Sequence, residues 1–228
     1  MTWFEKVADQ FNSCFIEKDR YVMLLRGIGV TIEVSLLAVL IGIIIGFLIA
    51  MCNLSKKKGL RAIGLVYTDV IRGTPSVTQL MIIYFVIFAT VPWPKWIISA
   101  IAFGINSGAY VSEIIRAGIL SVDIGQTEAG RSLGLSAGQT MKKIVMPQAI
   151  KNIFPSLCNE FIVLIKETAI VGYVGLVDIQ KAGDLIKSAT YTAFMPLIGT
   201  AIIYYVMIKV LTLVLRRVEK RLRASEIR

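Results

Sequence analysis

Histidine is missing from all 228 positions of the chain. With it goes the commonest acid–base catalyst and metal ligand near neutral pH, which argues against a membrane hydrolase or a metalloenzyme. Cysteine is scarce: Cys14, Cys52 and Cys158 are odd in number, fall at no motif spacing, and two lie in or beside apolar stretches. Neither a disulfide framework nor a metal site is indicated. Residues 1–20 carry Glu5, Lys6, Asp9, Glu17 and Asp19 with no apolar core between them, so no cleavable signal is expected there. Acidic residues are outnumbered, 15 against 25 Lys and Arg, giving a net charge of +10. No aromatic–basic interleaving accompanies that excess, and nucleic acid is not a predicted partner.

What the chain has instead is apolar length. Hydrophobic residues make up 56% of it, and the mean hydropathy is +0.72, above the globular norm. Val34–Ser55 and Gly73–Pro94 are uncharged runs of 22 residues and Ser188–Ile208 is one of 21, against the ~20 needed to cross a bilayer core. Trp96–Ser112 adds 17 uncharged residues and stays apolar past Glu113 and Arg116 to Leu120, enough for a tilted helix. The stretch from Ile150 to Val177 is rich in Ile, Val and Leu but interrupted by Glu160, Lys166 and Glu167; it reads as a further span carrying functional charge. The expectation is an all-α integral membrane protein whose transmembrane domain, 21–216, holds five helices at about 28–54, 62–91, 96–120, 148–172 and 190–215. Residues 1–20 form an interfacial amphipathic segment and 217–228 a basic tail.

Five spans put the termini on opposite sides. The first linker, the central loop and the C-terminal tail carry fifteen Lys and Arg, the other side seven. The positive-inside rule then sets the N terminus outside and the C terminus inside, and most of the basic excess is topological. Ala38, Gly42, Gly46 and Ala50 recur every four residues, as do Ala100, Gly104, Gly108 and Ser112. Both rows read as packing seams, where small residues let helices approach in lipid.

The segment 121–147 is long for a connection between spans and too patterned for a flexible one. Ser136 followed by Gln139 is a capping-box signature and predicts a short helix from Ala137 to Val145, ended by Pro147. Gly134 supplies the turn separating it from an earlier helical piece around Glu128–Leu133. Gly125–Ser132 nearly spells a phosphate-binding loop, but Arg131 stands where the Lys belongs and no buried strand precedes it. The energy source is expected in another subunit.

Glu128-Ala129-Gly130, Gly134 six residues after Glu128, Ile144 and Pro147 together resemble the EAA loop of ATP-binding-cassette importer permeases, with Gly130 for the second Ala and Met146 for the Leu. Ile71-Arg72-Gly73-Thr74-Pro75 with Gln79, Gly108-Ala109-Tyr110 with Glu113 and Arg116, and Pro147-Gln148-Ala149 leading into Asn159-Glu160-Phe161 resemble the polar amino-acid branch. The resemblance covers roughly residues 25–220. It implies a permease bundle of the type I importer kind in a prokaryotic cytoplasmic membrane, working beside a second permease copy, cytoplasmic ATPase subunits and an extracytoplasmic amino-acid-binding protein. ATP and Mg are then used by the ATPase; this chain binds no cofactor, has no catalytic residue and is not itself an enzyme. The coupling residues it implies are Glu128, Ala129, Gly130, Gly134, Ser136 and Pro147.

Polar side chains at bilayer depth are the candidate solute contacts, because an unpaired charge there is costly and usually faces a cavity. Ser156, Glu160, Val163 and Glu167 share one helical stripe with Asn159 alongside; Asn106, Tyr110 and Glu113 share another, and Asp69, Arg72, Ser76 and Gln79 a third. Their convergence on one cavity would give a site of Glu160, Asn159, Gln79, Glu113 and Tyr110, with a lean toward cationic amino acids. The plainer reading pairs Asp69 with Arg72 and Glu113 with Arg116. Two rival classes have less support. A self-powered transporter would show inverted repeats and more spans, and a purely structural subunit would have no reason for three polar stripes.

Overall fold

The fold is built from helices alone among the residues that the computed structural model describes, 2–224. Met1 and 225–228, the last four positions of the expected tail, lie outside the described residues. α1 (Trp3–Phe11) opens with the capping box of Thr2 and Glu5 and carries Trp3 and Phe11 on its exposed side. α2 (Tyr21–Asn53) and α5 (Lys95–Leu120) lie side by side in parallel, Ala38 to Gly46 advancing along Gly104 to Val111. Both expected small-residue rows meet here. A Cβ on Gly104 would stand 2.6 Å from Ile41, and one on Gly46 2.6 Å from Val111, so only glycine permits this separation.

α2, α5 and α10 (Phe194–Ala224) are each long and apolar enough to cross a membrane. α5 is the most enclosed of the three, with 67% of its apolar window buried, and α10 the least, with 11%. α8 (Met146–Glu167) has the length, 22 residues, but carries Lys151, Glu160, Lys166 and Glu167; it continues as a 3₁₀ segment, Thr168–Val174.

The single straight helix expected over 62–91 is not what forms. α3 (Lys58–Arg72) and α4 (Ser76–Ile82, prolonged by a π turn Ile83–Ile87) meet at a bend of 104°. Pro75 lacks the N–H that would continue the ladder and biases Thr74 away from helical geometry, so α3 stops at Gly73. The long uncharged run had concealed a break written in Gly73-Thr74-Pro75.

Another departure is α9 (Ile179–Thr190), an amphipathic helix not anticipated between the last two spans. Asp178 caps it, accepting from the N–H groups of Gln180 and Lys181 at 3.2 and 2.9 Å, and also accepts from the Tyr204 hydroxyl at 2.9 Å. Burial pushes the Asp178 carboxyl above the usual carboxylate range, against the pull of those donors. The last long helix therefore begins at Phe194 rather than near 190, after Tyr191 has taken the left-handed conformation, φ 54°.

Candidate coupling loop and intramembrane cavity

α6 (Ile124–Ser132) and α7 (Ala137–Thr140, prolonged by a π turn Met141–Val145) form the helix–turn–helix between α5 and α8. Asp123 starts α6 by accepting the Gly125 N–H at 2.6 Å. Its end is a Schellman motif: Gly134 N–H donates to the Arg131 carbonyl at 3.0 Å and Leu135 N–H to that of Gly130 at 3.1 Å, with Gly134 at φ 83°. Arg131 Nη1 adds a bond to the Leu135 carbonyl at 2.9 Å. α7 then opens on the reciprocal pair Gln139 N–H to Ser136 Oγ, 3.2 Å, and Ser136 N–H to Gln139 Oε1, 2.8 Å.

Pro147 does not end this element, contrary to the expectation. It sits in the first turn of α8, and the backbone runs through it unbroken. The π turn just before it widens the helix where its ring would crowd the Lys143 carbonyl. The consequence is mechanical: α7 is continuous with α8. Gln148 Nε2 ties α8 to Gln126 Oε1 of α6 at 3.3 Å, and Asn152 Nδ2 ties it to Ser121 Oγ at 2.9 Å.

Gly130 is buried where α6 crosses α7. A Cβ there would meet Thr140 Cγ2 at 2.7 Å and Ile144 Cδ1 at 2.8 Å, which accounts for glycine at that position of the loop pattern. Glu128 and Ala129 are exposed, as are two large apolar side chains, Ile124 at 74% and Leu133 at 81%. The loop thus offers a firm outer face with an acid between apolar contacts.

A cavity of about 1170 Å³ lies along α3 and the C-terminal half of α5, from Tyr110 to Leu120. Asp69, Arg72, Tyr110 and Glu113 line it, parts of two of the three predicted stripes, while Asn106, Ser76 and Gln79 of those stripes do not. Arg116 Nη2 pairs with Glu113 Oε2 at 2.8 Å, as the plainer reading has it. Arg72 does not pair with Asp69; its guanidinium lies over the Tyr110 ring, 5.5 Å from the centroid, as a cation–π contact. Lys56 and Arg61, counted in the sequence only as topological charge, also line the space and make its walls net basic.

The remaining candidates sit elsewhere. Glu160 is 8% exposed and accepts from Ser107 Oγ at 2.8 Å across the α5–α8 contact. Ser107 was missed because a serine beside a row of small residues reads as packing. Asn159 is exposed on α8. Gln79 is buried at the bend, its amide directed at Ile71, Thr74 and Asn106. Order along each helix was legible from residue counts, but the direction each side chain faces was not.

Comparison with known proteins adds the lineage. A protein of Rickettsia bellii, named provisionally as a glutamine transport system permease protein, is 42% identical over 208 residues, covering 90% of this chain and 95% of its own. The arginine transport system permease protein of Bacillus subtilis is 40% identical over 205 residues, 89% and 94% of the two chains. The crystal structure of an amino acid ABC transporter with histidines superposes with a TM-score of 0.83 at 42% identity, covering 91% of this chain and 98% of that one. That similarity establishes the all-helical importer-permease fold. Residues 39–224 match the family described as the binding-protein-dependent transport system inner membrane component, and the chain belongs to that family.

Proposed function

We propose that the chain is the membrane-spanning permease subunit of an ATP-driven importer of polar amino acids. The observation that carries this reading is the connection between loop and cavity: α5, which walls the cavity, leads directly into α6, and α7 returns without a break into α8. A push on the loop face around Glu128 is therefore delivered to both helices. The coupling set is Glu128, Ala129, Gly130, Gly134, Ser136 and Pro147, with Glu128 meeting a basic group of a cytoplasmic ATPase that supplies the ATP and Mg chemistry.

Five spans complete the bundle: α2, the bent α3–α4 pair, α5, α8 and α10, with the N terminus outside and the loop and basic tail inside. The membrane is the prokaryotic cytoplasmic one. The sparsely buried α10 leaves room for lipid and a second permease copy, and the outer face receives an amino-acid-binding protein. Tyr110 and Glu113 meet the solute from the cavity wall, and Asn159, Glu160 and Gln79 shape its path. The lean toward cationic solutes is supported by the arginine relative and opposed by the basic walls. Polar α-amino acids as a class are the reading we adopt.

The test is ATP hydrolysis by the permease–ATPase complex in lipid with its binding protein, titrated across amino acids. Stimulation by one class of polar amino acid identifies the solute. A rate indifferent to all of them overturns the reading.

A further inference from the structure

The 104° break between α3 and α4 leaves the last carbonyls of α3 without helical partners, in a setting where no lipid group can supply them. Two of them, on Val70 and Ile71, find side-chain donors, while Asp69 O keeps its helical one. Gly73 N–H donates to Asp69 O at 2.8 Å and Thr74 Oγ1 to Val70 O at 2.9 Å. Gln79, one turn beyond the break, reaches back: its Nε2 donates to Ile71 O at 2.7 Å and lies 2.6 Å from Thr74 Oγ1 and 3.1 Å from Thr74 O. Two amide hydrogens are shared among three acceptors, so the donor capacity of Gln79 is used up. Its Oε1 in turn accepts from Asn106 Nδ2 of α5 at 2.9 Å. Gln79 and Asn106 are 8% and 4% exposed, and neither lines the cavity.

α5 holds both sides of the break. Asn106 grips Gln79 after it, and Tyr110, one turn further along the same face, underlies Arg72 before it. We propose that Gln79 and Asn106 form a clasp that fixes the bend and so holds Arg72 against Tyr110 at the cavity wall. They are positioning residues: they set the affinity of the path for its solute without touching it. The inference rests on the cavity being the solute path, and it gives Gln79 a narrower role in shaping that path.

The experiment uses the full complex in lipid vesicles, with Gln79→Leu, Asn106→Ala and the double variant. Solute-stimulated hydrolysis is fitted for the half-saturating solute concentration and the maximal rate, and amide hydrogen exchange is followed over residues 70–80. Asn106→Ala is expected to raise the half-saturating concentration about tenfold, the scale of one lost buried hydrogen bond, and Gln79→Leu, which also frees the Ile71 and Thr74 acceptors, by at least as much. The maximal rate should stay within about twofold, and the double variant should be no worse than Gln79→Leu alone, because that change has already removed the contact with Asn106. Exchange over 70–80 should quicken in all three. A changed ranking of amino acids would mean that Gln79 meets solute directly, and independent, additive losses would deny the clasp; either overturns the proposal, as does unaltered exchange. If the wild-type complex ignores every amino acid, the import reading fails, and the exchange comparison alone then decides whether the clasp exists.

Discussion

Gly130→Val tests whether the close crossing of α6 and α7 transmits force. Replacing an interior helical glycine with alanine is worth about 1 kcal/mol in helix propensity, and with β-branched valine a little under half of that. Against this stands overpacking: the first carbon alone falls 2.7 Å from Thr140 Cγ2 and 2.8 Å from Ile144 Cδ1. Thr140 is fully buried and its hydroxyl donates to Ser136 O at 3.0 Å, so its methyl cannot swing aside without breaking that bond. Overpacking of this kind costs about 1–3 kcal/mol, which offsets or exceeds the propensity gain of Gly130→Ala and makes Gly130→Val a net loss of roughly 0.5–2.5 kcal/mol in the packed arrangement. The loss should appear as transmission rather than as unfolding, because α6 and α7 keep their own caps. Solute-stimulated hydrolysis by the complex should fall about tenfold in Gly130→Val while unstimulated hydrolysis is retained. Adding Thr140→Ser removes the offending methyl, keeps the hydroxyl bond and should restore most of the stimulation. Normal stimulation in Gly130→Val, or no recovery with Thr140→Ser, would refute the argument.

Glu128→Ala, an exposed change, should leave thermal stability within about 0.5 kcal/mol yet abolish most solute-stimulated hydrolysis, read by comparing melting with turnover. Glu160→Gln keeps an acceptor for Ser107 and removes the charge, so the complex should assemble normally while uptake is blunted about tenfold, as expected for a lost charged contact of ~1.5 kcal/mol; unchanged uptake removes Glu160 from the path. The raised Asp178 carboxyl favours the protonated native state, so its contribution is fully present below the ordinary carboxylate pKa and is lost as pH rises through the raised value. Asparagine keeps the cap acceptor, and Asp178→Asn should flatten the corresponding decline in melting temperature across that window. An unaltered pH profile of melting would exclude Asp178 as its source.

Legibility in the sequence followed the physics that local pattern carries. Uncharged length announced α2 and α5, the recurrence of small residues announced their seam, and Ser136 with Gln139 and Gly134 fixed the caps and turn of the loop. The break at Gly73-Thr74-Pro75 was present in the letters, but hydropathy sums over it and reports one span. α9 could have been found from Asp178 as cap with Ile179, Ala182, Gly183 and Ile186 at helical spacing. Pro147 misled because nothing local says that a π turn lies before it and lets the helix run on through the proline. The Glu160–Ser107 and Gln79–Asn106 pairs join residues 53 and 27 positions apart, contacts that only the packed bundle creates.

The glycine-lined contact of α2 with α5 has a bearing on how such a protein can diversify. Two backbones pressed that closely tolerate almost no new side chain along Gly42, Gly46, Gly104 and Gly108, so drift there is purged before it can alter selectivity. Variation is left to the elements packed around this pair. A laboratory selection for a new solute should accumulate its changes on α3, α4, α8 and the cavity-facing positions of α5, Tyr110 and Glu113, and leave the glycine seam silent.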